Sequence, residues 1–167
     1  MPKHPRITPC LWFDTQAEEA ARFYTGIFPN SKIVAITRYP DAGQQIHGKP
    51  AGSVMTVLFE LDGQAFTALN GGPYFKFTEA VSFQIECDTQ EEIDRLWDAL
   101  GEGGTIEQCG WLRDRYGLCW QITPKILGEM MKDKDRARAG RVAEAMLQMV
   151  KLDIAGLQRA YNNAAAA

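Results

Sequence analysis

Asp14-Thr15-Gln16-Ala17-Glu18-Glu19 recurs in this chain as Asp88-Thr89-Gln90-Glu91-Glu92, each time behind a short run of strand-forming residues. After the first copy come Ala20, Phe23, Tyr24 and Ile27; after the second come Ile93, Leu96, Trp97 and Leu100. Both sets fall at i, i+3, i+4, i+7, the apolar stripe of a helix. A Thr-x-x-Glu capping box opens each one, Thr15 with Glu18 and Thr89 with Glu92. A repeat of this length predicts two copies of one supersecondary unit, with a cavity at their junction as the place to seek a function.

Working outward from the first copy, residues 7–13 read as a strand with an irregular start at Pro9, and the helix of roughly 16–28 stops at Pro29-Asn30. Ser31 to Tyr39 is a β-branched strand, Pro40 to Gly52 a glycine- and proline-rich loop. Val54 to Leu61 and Ala65 to Asn70 flank Asp62-Gly63 as a hairpin. Gly71-Gly72-Pro73 breaks the chain, and Tyr74 to Thr78 is an aromatic linker. The second copy has the same order: a strand at Val81 to Cys87, a helix of roughly 90–100, and a glycine stop at Gly101, Gly103 and Gly104. Thr105 to Gln108 reads as a short strand, and Gly110 to Arg113 with Leu118 to Thr123 as a hairpin. Each unit is therefore βαβββ. Beyond Thr123-Pro124, an N-cap followed by a proline suited to the first helical position, the pattern turns helical. Val142, Ala145, Met146, Met149 and Val150 form one stripe; Ile154, Leu157 and Tyr161 form another behind an Asp153 cap, and the four terminal alanines fray. The predicted fold class is α+β. Residues 1–123 hold two βαβββ modules (about 7–70 and 80–123) forming paired cupped sheets, and residues 124–167 are a C-terminal helical extension.

With 46% hydrophobic and 23% charged residues among 167, the composition is that of a soluble globular protein. A net charge of −3 argues against an electrostatic nucleic-acid footprint. No apolar run nears the roughly 20 residues of a membrane span, and the polar N-terminus lacks a signal peptide's hydrophobic region. Cys10, Cys87, Cys109 and Cys119 form no Cys-x-x-Cys pair, so reduced thiols and a cytoplasmic location are expected. Gly101-Glu102-Gly103-Gly104 follows a helix and reads as a turn, not a phosphate loop. No glycine-rich strand-to-helix turn of the kind that holds S-adenosylmethionine is found.

Ser82, Gln84 and Glu86 alternate on one face of a strand, and Cys119, Gln121 and Thr123 on another. Two polar inward faces suit a cavity that hydrogen-bonds a ligand; the competing reading is a solvated face, or Gln84 and Gln121 paired with each other. Glu86 is the one carboxylate of the group and a candidate general base. Trp12, Trp111 and Trp120, with Phe66 and Tyr74, either wall a pocket for a flat molecule or pack in the core. His4 sits in the N-terminal tail and His47 in the glycine-rich loop, which could close over a cavity as a lid. Cys10 and Cys109 would be nucleophiles only beside a base and a positive environment. Met146 and Met149 pack on their own domain or on a second copy.

Leu11-Trp12-Phe13 with Glu19-Ala20 and Phe23-Tyr24, then Leu69-Asn70-Gly71-Gly72-Pro73, make a set that is specific together. Phe75-Lys76-Phe77, Cys109-Gly110-Trp111-Leu112, Asp114, Tyr116-Gly117 and Trp120-Gln121-Ile122 complete it. Over nearly the whole chain this resembles the vicinal oxygen chelate superfamily, which includes glyoxalase I, extradiol dioxygenases, fosfomycin-resistance enzymes and bleomycin-binding proteins. More narrowly it resembles the PhnB-like branch, often labelled 3-demethylubiquinone 3-methyltransferase domains. In the superfamily's metal enzymes four side chains, typically His or Glu, come from the first and last strands of each unit. Carried onto this chain, those positions fall near Pro9 or Cys10, between Ala68 and Asn70, on Ser82 and on Gln121. None is His, Asp or Glu, a poor set for a transition metal.

The resemblance therefore implies a container without metal or other cofactor, comparable to the bleomycin-binding members. It would hold a small organic molecule in the inter-module cavity through Cys10, Trp12, Asn70, Ser82, Gln84, Trp111 and Gln121, with no catalytic residue assigned. It also implies a homodimer, for which the tail helices are natural material. Three alternatives stay open. One is a metal-dependent glyoxalase- or dioxygenase-like enzyme using Glu86, Glu60 or His47; another is the methyltransferase of the branch's label. The third is a structural or regulatory dimer with a filled cup. Whether the chain is an enzyme is left undecided.

Overall fold

A computed structural model of the chain describes residues 6–162. Its contacts divide into two compact units, Met1–Lys76 and Phe77–Ala167. The first unit runs β1 (Cys10–Phe13), α1 (Ala17–Ile27), β2 (Lys32–Arg38), α2 (Gln44–His47), β3 (Val54–Leu61) and β4 (Gln64–Asn70). Its sheet has the order β1-β4-β3-β2, with β1 parallel to β4 and the other pairs antiparallel. Asp62 and Gly63 both take positive φ, 46° and 81°, which is what a two-residue hairpin turn between right-twisted strands requires.

Strand alternation sorts this sheet into two faces. Leu11, Phe13, Val57, Phe59, Leu61, Phe66 and Ala68 are buried on the side that α1 covers with Ala17, Ala20, Ala21 and Tyr24. Tyr24, Phe59 and Phe66 form a stacked series, at 6.3 and 5.4 Å between ring centres. Burying a side chain of this size contributes about 1.5–3 kcal/mol. The opposite face carries Cys10, Trp12, Thr56, Leu58, Thr67 and Leu69, set beside one another by the register Cys10–Thr67, Trp12–Leu69, Thr56–Leu69 and Leu58–Thr67.

The second unit repeats the plan as β5 (Ser82–Cys87), α3 (Gln90–Gly101), β6 (Thr105–Ile106), β7 (Trp111–Arg113) and β8 (Cys119–Pro124), in the order β5-β8-β7-β6. Ile93, Leu96, Trp97 and Leu100 of α3 are buried against the side holding Leu112, Trp120 and Ile122. Three further helices, α4 (Lys125–Met131), α5 (Arg136–Leu147) and α6 (Ile154–Tyr161), close around Leu127, Met130, Val142, Leu152 and Leu157. The architecture is thus α+β, two βαβββ modules with a C-terminal helical extension.

Several local expectations shift by a turn or less. The ladder of the first strand begins at Cys10 rather than residue 7, although the Pro9 carbonyl still accepts from Thr67 N at 2.9 Å. The loop predicted over 40–52 contains α2, bounded by Gly43 and Gly48 in the left-handed region at φ 82° and 65°. Thr123 stays in β8 with its hydroxyl donated to the Ile85 carbonyl, and Pro124 itself is the N-cap of α4. The apolar stripe from Val142 to Val150 is not one helix. Because α5 ends at Leu147, the Met149 and Val150 carbonyls are free to accept from Cys109 N and Gly110 N, at 2.9 and 2.7 Å. Asp153 does cap α6, accepting from Gly156 N at 2.9 Å. His4 and the four terminal alanines lie outside the described residues. Among the described residues no helix is long and apolar enough to cross a membrane.

Candidate functional site: two open sheet faces

The uncovered face of the second sheet carries a connected polar row. Pairing of Ser82 with Cys119 and of Gln84 with Gln121 across β5 and β8 brings these side chains to one surface. Gln121 donates to Ser82 Oγ at 2.8 Å, and Gln84 donates to Gln121 Oε1 at 3.2 Å. Each amide uses one N–H in this chain, so a second N–H on each glutamine, the Gln84 carbonyl and the Ser82 hydroxyl proton are left for a visitor. Trp111 pairs with Gln121 in the ladder and stands half-buried beside the row.

Arg113, two residues on, borders the same face. Its guanidinium lies 3.3 Å from Glu79 and 2.8 Å from Glu107, the latter off the N–H direction of Nε, so its charge is shared between two acids. The sequence reading did not foresee this trio, because Glu79 sits in a linker with no strand pattern. Thr123 and Glu86 close the row. Thr123 turns its hydroxyl to the backbone, and Glu86 is exposed with no oppositely charged partner in range among the described residues. Ser82, Gln84, Trp111 and Gln121 are therefore brought together on one face of one unit.

On the first sheet, Cys10 and Trp12 share the uncovered face with Thr67 and Leu69. Trp12 donates its indole N–H to the Gly72 carbonyl at 2.8 Å and meets Phe75 edge-on at 4.8 Å between ring centres. Gly71 lies flat under the indole: a Cβ there would come within 2.1 Å of the ring, so no other residue fits. Tyr74 and Phe75 are mostly exposed, while Phe66 and Trp120 belong to the cores under α1 and α3. Burial pushes the Cys10 thiol above its ordinary pKa. Cys119 is raised for the same reason, with the carboxylates of Glu107 and Glu79 adding to it. The buried Cys87 thiol is pushed up to about 12, first by burial and then by Glu92. All four cysteines are free thiols. A raised pKa disfavours the thiolate that nucleophilic or metal-binding chemistry needs.

Asn70 stands elsewhere. It is in phase with Phe66 and Ala68, buried on the α1 side, and its amide is satisfied at both ends. Its Oδ1 accepts from Ala17 N at 2.8 Å and its Nδ2 donates to the Val54 carbonyl at 3.1 Å. Asn70 is thus the cap of α1. The helix starts one residue later than its capping box would have it, Gln16 makes no side-chain cap, and Thr15 is left out. The second box forms: Thr89 accepts from Glu92 N at 3.2 Å, and Glu92 takes Asp88 N at 3.0 Å. Asp114 plays a similar part in the second unit, accepting from Tyr116 N, Leu118 N and the Trp120 indole at 2.8, 3.1 and 2.8 Å.

The superfamily's metal positions fit poorly here. They are filled by a thiol of raised pKa at Cys10, an apolar Leu69 beside the capping Asn70, and the neutral, mutually bonded Ser82 and Gln121. Among the described residues no three His, Cys, Asp or Glu side chains gather so as to hold an ion. Glu60 pairs with Lys32 at 3.3 Å, and His47 Nδ1 accepts from Lys49 N at 3.0 Å. None of these positions brings together the imidazole, thiolate and carboxylate donors that a divalent transition metal selects.

The profile of a family described as 3-demethylubiquinone-9 3-methyltransferase matches residues 5–123. The PhnB protein of Bacillus cereus is similar at 37% identity over 72% of this chain and 99% of that one, with a TM-score of 0.64. A Pseudomonas aeruginosa protein aligns at 23% identity over 72% of this chain and 97% of its own, with a TM-score of 0.58. The fosfomycin resistance protein FosX of Listeria monocytogenes shares the fold, at 14% identity over 80% of this chain and all 100% of its own, TM-score 0.54. No curated protein matches the chain. Asn70 with Gly71 and Asp114 with Trp120 cap a helix, seat an indole and tie a turn, so their work is in the fold. The chain belongs to the 3-demethylubiquinone-9 3-methyltransferase (PhnB-like) domain family.

Proposed function

We propose that this protein binds a small, flat, largely uncharged organic molecule, without a metal, on the open faces of its sheets. The observation that carries the reading is the row Ser82–Gln121–Gln84, whose remaining valences are several donors and one amide carbonyl, flanked by Trp111. Such a row recognises carbonyl and hydroxyl groups and gives no reward to formal charge, while an indole offers its apolar surface to a ring. The half-buried Trp12 of the first sheet, with the exposed Phe75 edge-on to it, supports the same preference. The family's description points to hydroxylated benzoquinones as the first ligands to try. The reading also has the protein as a cytoplasmic homodimer, whose mass native spectrometry would report directly.

In a thermal-shift screen of substituted benzoquinones and other hydroxylated aromatics, at least one compound is expected to raise Tm. Gln121→Leu should weaken its binding about five- to tenfold, the worth of one hydrogen bond plus the loss of its neighbour's partner. A screen with no shift, or binding indifferent to Gln121→Leu, would overturn the reading. A stoichiometric divalent ion in the native mass spectrum would do the same.

A further inference from the structure

On the helix-covered side of the first unit a cavity of about 320 Å³ opens where the start of α1, the end of β4 and the loop before β3 meet. Asp14, Glu18, Tyr39, Lys49, Ser53 and Asn70 are among its walls. What these groups already do defines what remains. Glu18 takes the Arg22 guanidinium at 2.7 Å. Tyr39 donates its hydroxyl proton to the Asn70 carbonyl at 2.6 Å, and Ser53 donates its own to the Pro50 carbonyl at 2.6 Å. The Asn70 amide is filled at both ends. The Tyr39 and Ser53 oxygens can therefore only accept.

Two charges are left over. Among the described residues Lys49, half-buried, has no carboxylate in ion-pair range, and Asp14 has no cation. Both line one cavity, yet they stand farther apart than the 4.0 Å of an ion pair. An ammonium on a half-buried lysine, with no carboxylate of the protein in ion-pair range, favours an arriving anion. The nearby carboxylates of Asp14 and Glu18 disfavour a ligand that is only an anion, and Lys49 disfavours one that is only a cation. Pro50 and Val54 add apolar wall. We propose that this cavity is a second binding site, for a small zwitterion of the free α-amino acid class. Its carboxylate lies on Lys49, and its ammonium on Asp14 and the lone pairs of Tyr39 and Ser53. The volume lies at the lower end of the range for small-molecule sites, which suits a ligand of that size. The site shares no residue with the polar row of the second sheet.

The test is calorimetric titration of the intact protein with each protein-forming L-amino acid, with sodium acetate and methylammonium chloride as single-charge controls. At least one amino acid is expected to bind at one site per chain, and neither control at the same concentrations. Lys49→Gln and Asp14→Asn should each weaken that binding about tenfold. Neither side chain has a hydrogen-bond or ion-pair partner among the described residues, and neither substitution touches the Lys49 N–H that His47 accepts, so both variants should melt with the parent. Gln121→Leu should leave amino-acid binding unchanged, which separates this site from the sheet face. No heat or thermal shift with any amino acid overturns the proposal. So does binding that survives both substitutions, or acetate binding as tightly as the amino acid.

Discussion

Asn70 shows where reading a sequence residue by residue succeeds and where it stops. An asparagine at the end of a strand, two positions after an alanine, reads as a cup-lining amide. Its true phase is that of Phe66 and Ala68, and its work is to cap a helix 53 positions earlier in the chain. No local signal carries that pairing: Thr15 and Glu18 advertise a capping box, while Glu18 goes to Arg22 and Thr15 takes no part in the cap. Ser82, Gln84 and Gln121 were legible, because strand alternation alone puts them on one face. The contrast predicts a pair of measurements. Asn70→Ala should lower stability by about 2–3 kcal/mol, from a lost cap and an orphaned Val54 carbonyl. Thr15→Ala should cost less than about 0.5 kcal/mol. Thermal denaturation of the two variants decides it, and equal losses would restore the local box.

The elements of the extension are held by carboxylates of lowered pKa. Tyr161 donates to Asp133 at 2.5 Å and Asp135 N to the same carboxylate at 2.9 Å, and both hold Asp133 below the ordinary range. Lys151, at 2.7 Å, and then Gln90 do the same for Asp94, tying α3 to the segment before α6. A group whose folded pKa is depressed stabilises above its unfolded value, and loses that contribution as pH falls through the folded one. The expected window therefore lies below about pH 4. Amide protection in α5 and α6, taken relative to the intrinsic exchange rate at each pH, should fall between neutral pH and about pH 3 before that of α1 and its sheet, and Asp133→Asn should reproduce part of the loss at neutral pH. Uniform exchange in both units across that range would remove these carboxylates from the account. The break at the end of α5 was not legible, since Val142 to Val150 keeps helical spacing throughout. Beyond Leu147 the Met149 and Val150 carbonyls serve Cys109 N and Gly110 N, partners more than 35 residues away that no local spacing announces.

Over the whole chain, the repeat told the fold because both copies obey the same two periods, 3.6 in the helix and 2 in the strands. It could not tell their differences. Gln16 and Gln90 hold matching places in the repeat. Only Gln90 reaches the tail, donating to the Leu152 carbonyl at 3.2 Å and accepting from Ile154 N at 2.9 Å. Gly110 completes the attachment: a Cβ there would stand 2.8 Å from the Ile122 carbonyl and 3.0 Å from Leu152. Removing residues 125–167 should therefore speed amide exchange in α3 and β8 and leave the first unit as it was; unaltered exchange in α3 would show the tail to be a passenger. The same attachment has a consequence in time. A ribosome releases the first unit's last strand and loop by Lys76, with every strand of its sheet present. The second unit's sheet is fully synthesised at Pro124, yet Leu152 and Leu157 arrive only later. At roughly 5–20 residues per second the nascent chain spends a few seconds with that seam uncovered. Those seconds are when a chaperone would find it.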